Sequence, residues 1–186
     1  MLEESVRSRL HGRSPRRVEG EGRALRPAAV LVPLVADPAG HSLLFTKRAP
    51  WLKRQPNEIS FPGGVIDPED PSPLAAALRE SREEVGLESG DVDVLGEMDE
   101  MVTLTGFRVT PFVGAIRGPY PFQPNHEVGE LILAPLTSLR DPDTLRIEMR
   151  RLPSGAHVEL YHYIFEGHDI WGITGRLIKE LLLLLP

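Results

Sequence analysis

The sequence predicts an α+β fold, an α/β/α sandwich in which helices cover both faces of a mixed β-sheet. The first observation is the order of elements: strand-like segments, one well-bounded helix, many more strand-like segments and a final helix. This order lacks the regular alternation of a doubly wound parallel sheet. The second observation is composition, because 186 residues with 41% hydrophobic and 26% charged side chains suit one globular domain with a sizeable core.

The elements before the first well-bounded helix are a hairpin and a short strand. The apolar run 28–36 ends at the turn 37–40, and residues 42–47 follow as its hairpin partner. Residues 57–61 are predicted to form a short strand, which a Pro-Gly-Gly turn stops.

The well-bounded helix has clear signals at both ends. Ser72 suits the N-cap, and Pro73 suits the first helical position because its missing N–H would be unpaired there. Val85 ends the helix, since Gly86 can supply a left-handed exit. A last helix is predicted at 170–185, and further strands are predicted at 92–95, 107–116, 130–135, 145–150 and 158–165.

Composition disfavours or excludes several classes of function. The 27 acidic and 21 basic residues give a formal charge of −6, so no nucleic-acid partner is expected. The chain has no cysteine, which excludes disulfides, cysteine-bound zinc and thiol nucleophiles and favours a cytoplasmic location. Residues 1–27 lack the apolar core of an export signal. No apolar run approaches the ~20 residues of a membrane span, so no membrane association is expected.

The chain is predicted to divide into a short N-terminal segment and one domain. Residues 1–27 are rich in arginine and are expected to form a helix followed by a mobile arm, whereas residues 28–186 form the domain. Residues 181–185 are all leucine and cover every face of the last helix. They are therefore either core residues or a subunit contact that would make a homodimer.

Three carboxylates lie on one side of the helix that begins at Pro73. At ~100° per residue, Glu80, Glu83 and Glu84 share a stripe opposite the apolar one. Like charges at i+3 and i+4 destabilise an isolated helix by roughly a few tenths of a kcal/mol per pair, and the last turns of a helix favour cations. A bound Mg²⁺ or Mn²⁺ would relieve this repulsion, because clustered carboxylate oxygens suit these ions. The alternative is a solvated acidic face.

The same helix carries a motif that follows a glycine pair. Arg79, Glu80, Glu83 and Glu84 come after Phe-Pro-Gly-Gly at 61–64, and a Gly-Leu pair closes the block. This pattern closely resembles the signature of the Nudix hydrolases. The resemblance implies the Nudix fold and hydrolysis of a pyrophosphate bond. It also implies a Mg²⁺ or Mn²⁺ ion held by the three glutamates, with Glu83 and Arg79 among the catalytic residues.

Two features depart from the usual Nudix signature. The interval from Gly64 to Arg79 is one residue longer, and either Asp70 or Glu69 stands for the spaced acid. Ser81 occupies a position that is usually aliphatic. The block that family members use to bind metal is intact.

The longer interval is similar to that of one Nudix branch, the coenzyme A pyrophosphatases. Their additional motif precedes the glycine pair, and Thr46, Arg48 and residues 61–64 keep its register. Lys53 stands where arginine is usual, and Asn57 stands where glycine is usual. The resemblance implies cleavage of coenzyme A to 3′,5′-ADP and 4′-phosphopantetheine, with a small nucleotide as the partner.

Substrate-binding residues are expected around this additional motif. Arg48, Lys53 and Arg54 supply cations for the phosphates of an anionic substrate on a chain that is acidic overall. Charge that protects an edge strand is the alternative explanation for them. Gly63 and Gly64 would let the backbone approach a phosphate.

The resemblance also suggests a role for Glu127 and leaves two other functions open. Glu127 matches the loop where Nudix enzymes often carry a general base or an extra metal ligand. The same chemistry on ADP-ribose, dinucleoside polyphosphates or nucleoside triphosphates is one alternative. A Nudix-like domain that binds a nucleotide without hydrolysing it is another.

Overall fold

The fold was analysed in a computed structural model, which describes residues 1–18, 24–38, 40–152 and 155–186. The helices are α1 Leu2–His11, α2 Pro73–Val85, α3 Leu136–Leu139 and α4 Gly172–Leu184. The strands are β1 Arg26–Asp37, β2 Gly40–Arg48, β3 Ile59–Ser60, β4 Gly63–Val65, β5 Val92–Glu97, β6 Met101–Val102, β7 Phe107–Ile116, β8 Val128–Pro135, β9 Leu145–Arg151, β10 His157–Phe165 and β11 His168–Ile170.

The main sheet is mixed, as predicted. Strand β1 is central: it pairs in parallel with β7 and antiparallel with β2 and β4. Strand β2 also pairs with β3 and β8, and β7 also pairs with β5 and β6. Strands β9, β10 and β11 form a separate antiparallel sheet.

Helices cover both faces of the main sheet. Side chains alternate along β1, so Leu31 and Val35 belong to the core under α2, whereas Val32 and Leu34 belong to the core on the other face. That second core also contains residues of α1 and α4. The predicted α/β/α sandwich is therefore confirmed. Of the helices that the structure describes, only α2 contributes buried residues to the core on its side of the main sheet.

Several predicted boundaries are confirmed, and two are wrong. Helix α2 and strand β7 have the predicted bounds. The last helix begins at Gly172 rather than at residue 170, because residues 168–170 pair with β10. The short strand ends at Ser60, before the Pro-Gly-Gly segment, but the glycine pair does not form the predicted turn and instead begins β4 against β1. A Cβ at Gly63 would lie 2.4 Å from the carbonyl oxygen of Ala29, so only glycine allows this pairing.

The N-terminal segment packs against the domain. Helix α1 forms as expected and buries Val6 and Leu10 in the core. After the helix, Arg13 pairs with Asp99 at 2.6 Å. The expectation of a mobile arm falls partly on residues 19–23, which lie outside the described residues, and the division at residues 27 and 28 stays a prediction.

The terminal leucines belong mainly to the core. Leu181 and Leu185 are buried, and Leu182 and Leu184 pack against the same cluster. Leu183 is exposed. Most of this segment therefore consists of core residues, which was the first of the two alternatives, rather than of a subunit contact. Among the helices of the described residues, none has both the length and the apolar character to cross a membrane.

Candidate active site

Helix α2 is held at both ends by the residues that the sequence indicated. The hydroxyl of Ser72 accepts a hydrogen bond from the N–H of Ala75 at 3.1 Å, and Gly86 adopts a left-handed conformation with φ 69°. The departure at Ser81 has a local explanation. Its buried hydroxyl donates to the carbonyl of Ala77 at 2.7 Å, so the helix itself satisfies the polar group.

Strand β4 brings the glycine pair against two carboxylates of α2. The N–H of Gly63 donates to Oε2 of Glu84 at 3.2 Å. A Cβ at Gly64 would lie 2.6 Å from the Cδ atom of Glu80, so any side chain there would collide with that carboxylate. The two glycines and the two glutamates therefore form one compact cluster, which we call the glycine–glutamate cluster.

Burial disfavours ionisation of both carboxylates in this cluster. It raises the pKa of Glu84 to about 8, and the nearby charges of Glu80 and Glu127 add to the effect. Arg48 and the Gly63 N–H act in the opposite direction on Glu84. Burial also raises the pKa of Glu80, against the opposing effect of Arg79. A cation beside the two carboxylates would offset this electrostatic cost.

Arg79 is the link between the acidic face of α2 and the loop before the helix. Its Nε and Nη2 atoms each donate to the carboxylate of Asp70 at 3.0 Å, a bidentate pair. Its Nη1 atom donates to Glu80 at 3.0 Å and to Glu83 at 3.4 Å. From the sequence, either Asp70 or Glu69 could be the spaced acid of the signature. In the structure, Asp70 is the one that contacts Arg79. Sequence reasoning missed Asp67, which lies 3.4 Å from Nη2 of Arg79.

Glu83 is the most exposed of the three glutamates on α2. Its side chain is 56% exposed and its carboxylate contacts Arg79. Within the described part of the chain, no group of three or more Asp, Glu, His or Cys side chains is already arranged to hold a metal ion. The donor chemistry nevertheless fits Mg²⁺ or Mn²⁺, because Glu80 and Glu84 are partly desolvated oxygen donors with raised pKa values.

Arg48 and Glu127 lie close enough to Glu84 to act on its carboxylate. Nη2 of Arg48 lies 3.7 Å from Oε2 of Glu127, and both side chains act electrostatically on Glu84. The backbone holds Glu127 in place, since its carbonyl accepts from Ala49 at 2.8 Å and its N–H donates to Asn125 at 2.8 Å. Among the residues that the structure describes, none accepts a hydrogen bond from the buried Nε atom of Arg48. The Arg48 side chain as a whole is 30% exposed, so an anionic ligand can reach its guanidinium.

The remaining predicted substrate residues lie on an exposed loop between β2 and β3. Lys53 and Arg54 are both exposed there, away from the compact cluster. Asn57 has φ 62°, a left-handed conformation that asparagine tolerates better than most residues other than glycine. The replacement of the usual glycine by Asn57 is thus compatible with the left-handed conformation that this position adopts.

The fold and this cluster define the class of protein. A family model described as the NUDIX domain matches residues 25–152. The chain therefore belongs to the Nudix hydrolase family, and the expected enzyme class, a pyrophosphohydrolase, is confirmed.

Relatives and solved structures agree with this assignment. The chain is 39% identical over 162 residues to a protein of Cronobacter sakazakii named "Uncharacterized Nudix hydrolase NudL", a match that covers 85% of this chain and 82% of the relative. A protein of Yersinia pestis with the same name is 37% identical over 160 residues, covering 84% and 78%. The crystal structure of a Nudix hydrolase from M. smegmatis, RenU, superposes with a TM-score of 0.54 at 26% identity, covering 67% of this chain and 81% of that one. An Ap4A hydrolase from C. elegans shares the fold, with a TM-score of 0.52 at 20% identity, covering 59% and 80%.

Proposed function

We propose that the chain hydrolyses the pyrophosphate bond of coenzyme A, giving 3′,5′-ADP and 4′-phosphopantetheine. The observation that carries the hydrolysis is the packing of Gly63 and Gly64 against Glu80 and Glu84. The choice of coenzyme A rests on the resemblance of residues 46–64 to the branch that acts on it, and on the position of Arg48 beside the cluster.

The acidic face of α2 fits a divalent cation. Glu80, Glu83 and Glu84 would hold Mg²⁺ or Mn²⁺, which when bound neutralises the diphosphate and lowers the pKa of a water ligand. Arg79 is a positioning residue in this proposal, because it ties Glu80 and Glu83 to Asp70.

The protein's own side chains bind the substrate and move the proton. The partly exposed guanidinium of Arg48 donates to a phosphate oxygen of the diphosphate, while the exposed Lys53 and Arg54 attract the other phosphate groups of the substrate. Gly64 has no side chain, so the Glu80 carboxylate packs directly against its backbone and is held at the site. Glu127 accepts a proton from the attacking water. One phosphorus–oxygen bond forms to that water, and the bond to the bridging oxygen breaks.

A substrate panel tests the proposal directly. The purified chain would be incubated with coenzyme A, ADP-ribose, dinucleoside polyphosphates and nucleoside triphosphates, in Mg²⁺ and in Mn²⁺, and the products identified by mass. Release of 3′,5′-ADP from coenzyme A at the highest kcat/KM of the panel is the expected result. Turnover of ADP-ribose alone would replace the proposed substrate.

The second candidate is the same reaction on one of those other nucleotides. It is favoured by Lys53 and Asn57, the two positions where the chain departs from the coenzyme A motif. Nucleotide binding without any turnover across the panel would instead support the non-catalytic alternative. The cytoplasmic location stays a prediction. The homodimer also stays a prediction, and Leu183 is the residue of the 181–185 segment that is exposed and could contact a second copy.

A further inference from the structure

A cavity of about 90 Å³ is lined by residues that do not belong to the glycine–glutamate cluster. Residues 57–59, which lead into β3, line one side of the cavity. Asp169 and residues 171–173, at the start of α4, line the other side. The hydroxyl of Thr174 donates to the carbonyl of Ile59 at 3.1 Å and fastens the two sides together.

Backbone hydrogen bonds connect this cavity to Arg48. The N–H of Arg48 donates to the carbonyl of Glu58 at 2.9 Å, and the N–H of Asn57 donates to the carbonyl of Arg48 at 3.1 Å. The guanidinium of Arg48 extends towards Glu127 and Glu84. The charge of Arg48 also acts on the carboxylate of Glu58, which lines the cavity, so a substrate whose phosphate meets Arg48 can extend towards the cavity.

Trp171 is a partly exposed aromatic ring held at the rim of the cavity. The side chain is 45% exposed although large aromatic residues are usually covered. Its ring stacks on His162 with centroids 5.6 Å apart and planes 6° from parallel. His162 is 4% exposed and hydrogen-bonds to Asp169 at 2.9 Å, while the Arg150 guanidinium lies 5.6 Å from the Trp171 ring centre. The ring orientation is thus fixed before any ligand binds.

The polar groups around the cavity select the kind of ligand. Glu58 and Asp169 bring carboxylates to the lining, and Asn57 brings an amide. Carboxylates repel phosphate and accept hydrogen bonds from amino and hydroxyl groups. An aromatic ring at a polar rim offers a π face on which a nucleobase can stack. A flat heterocycle with an exocyclic amino group satisfies both conditions.

We infer that the cavity binds the nucleobase of the substrate, an amino-bearing purine, with Trp171 as the stacking surface and the lining carboxylates and amide as hydrogen-bond partners. This inference rests on the proposed function in one respect, that the substrate is a nucleotide. It holds equally for coenzyme A, ADP-ribose and adenine dinucleotides, since all of them carry adenine.

Fluorescence of the two tryptophans gives a direct test. The chain has two tryptophans, so the variant Trp51→Phe leaves Trp171 as the reporter and Trp171→Phe leaves Trp51. Titration of Trp51→Phe with AMP should quench emission to a plateau, at several-fold lower concentration than with IMP, which lacks the amino group. Ribose 5-phosphate should not quench. No quenching by AMP, or quenching confined to the Trp171→Phe variant, would overturn the inference.

Steady-state kinetics provide a second test, because a binding role of Trp171 changes KM and not kcat, whereas a purely structural role would not separate the two. Trp171→Ala should raise KM for the best substrate roughly tenfold, the size of one base-stacking contact, and change kcat by less than about twofold. Trp171→Phe should keep a KM close to that of the wild type, because phenylalanine can also stack on a base. This variant still tests the inference if the alanine variant does not fold. A phenylalanine variant with unchanged folding and a KM as high as the alanine variant would contradict stacking.

The two proposals fail in different ways. If coenzyme A is not hydrolysed but AMP still quenches Trp171, the proposed substrate is wrong and the nucleobase site stands. If coenzyme A is hydrolysed and AMP leaves Trp171 emission unchanged at millimolar concentration, the proposed function stands and the nucleobase site is wrong.

Discussion

The acidic face of α2 and the exposed loop between β2 and β3 carry comparable numbers of charges but hold them differently. On α2, Arg79 makes a bidentate pair with Asp70, whose side chain is 7% exposed, and Glu84 receives a backbone hydrogen bond. On the loop, Lys53 and Arg54 are exposed to solvent. These contacts hold Arg79 and Glu84 in place on α2, while the loop contributes charge that salt can screen.

This difference separates chemistry from substrate choice. Changes on α2 should affect turnover, because the carboxylates have few other positions to take. Changes on the loop should affect KM, because solvated cations steer a substrate without being part of the reacting geometry.

The largest effect is expected from the glutamates. Glu84→Gln should lower kcat by roughly a thousandfold, since metal ions contribute several kcal/mol of transition-state stabilisation and each factor of ten is about 1.4 kcal/mol. The thermal midpoint should stay similar or rise, because a buried carboxylate with a raised pKa is replaced by a neutral amide. Glu83→Gln should also abolish turnover with unchanged stability. Full activity of either variant in Mg²⁺ would refute its assignment.

The glycine pair allows a matched comparison of activity and stability. At Gly64 an added methyl group would meet the Glu80 carboxylate, so Gly64→Ala should lower kcat roughly a hundredfold and the free energy of unfolding by about 1 kcal/mol. Gly63 has a φ of 152°, and a methyl group added there would meet the backbone of Ala29. Gly63→Ala should therefore lower the free energy of unfolding by about 3 kcal/mol or more. Denaturant unfolding and kcat measured on both variants check the contrast. If the two variants lost the same amount of kcat and the same amount of unfolding free energy, the predicted contrast between Gly63 and Gly64 would be wrong.

Arg79 should be sensitive to a change that keeps its charge. Arg79→Lys cannot keep two parallel hydrogen bonds to Asp70, so kcat should fall roughly 10- to 100-fold, as for other residues that orient metal ligands. Arg82→Lys is the matched control on the same helix, because Arg82 is exposed and its ion pair to Glu88 is 3.5 Å long. The prediction is wrong if the two lysine variants have the same kcat.

The smallest effect is expected on the loop. The double variant Lys53→Gln/Arg54→Gln should raise KM for coenzyme A roughly three- to tenfold at low salt and leave kcat and the thermal midpoint unchanged, because each exposed cation contributes little. The difference from the wild type should shrink as salt increases. Arg117→Gln, at an exposed position after β7, is the control and should leave KM unchanged. A KM difference that is independent of salt would contradict a steering role.

Sequence reasoning succeeded where local signals decide the structure. The bounds of α2 follow from the cap at Ser72 and the left-handed Gly86, both of which are properties of nearby residues. It failed at Gly63 and Gly64, because a Gly-Gly pair indicates a turn unless the opposing strand is known. The choice between Asp70 and Glu69 also depended on where an irregular segment places each carboxylate relative to Arg79, which spacing alone does not fix.

The packing of Arg48 and Glu127 illustrates the same limit over a longer distance. The resemblance indicated both residues, but their approach to Glu84 depends on the pairing of β2 with β8, from parts of the chain about eighty residues apart. Trp171 gave no signal of its own as a binding residue. Only the folded chain brings it to the cavity beside residues 57–59.

The proposed chemistry depends on a divalent cation bound by the carboxylates of α2. Crystals of the chain soaked in Mn²⁺ and measured for anomalous scattering test it most directly. We expect a strong peak in contact with carboxylate oxygens of Glu80 and Glu84, absent from crystals of the Glu80→Gln/Glu84→Gln variant. An ordered wild-type structure with no peak at these glutamates, or with the same peak in the variant, would contradict the account.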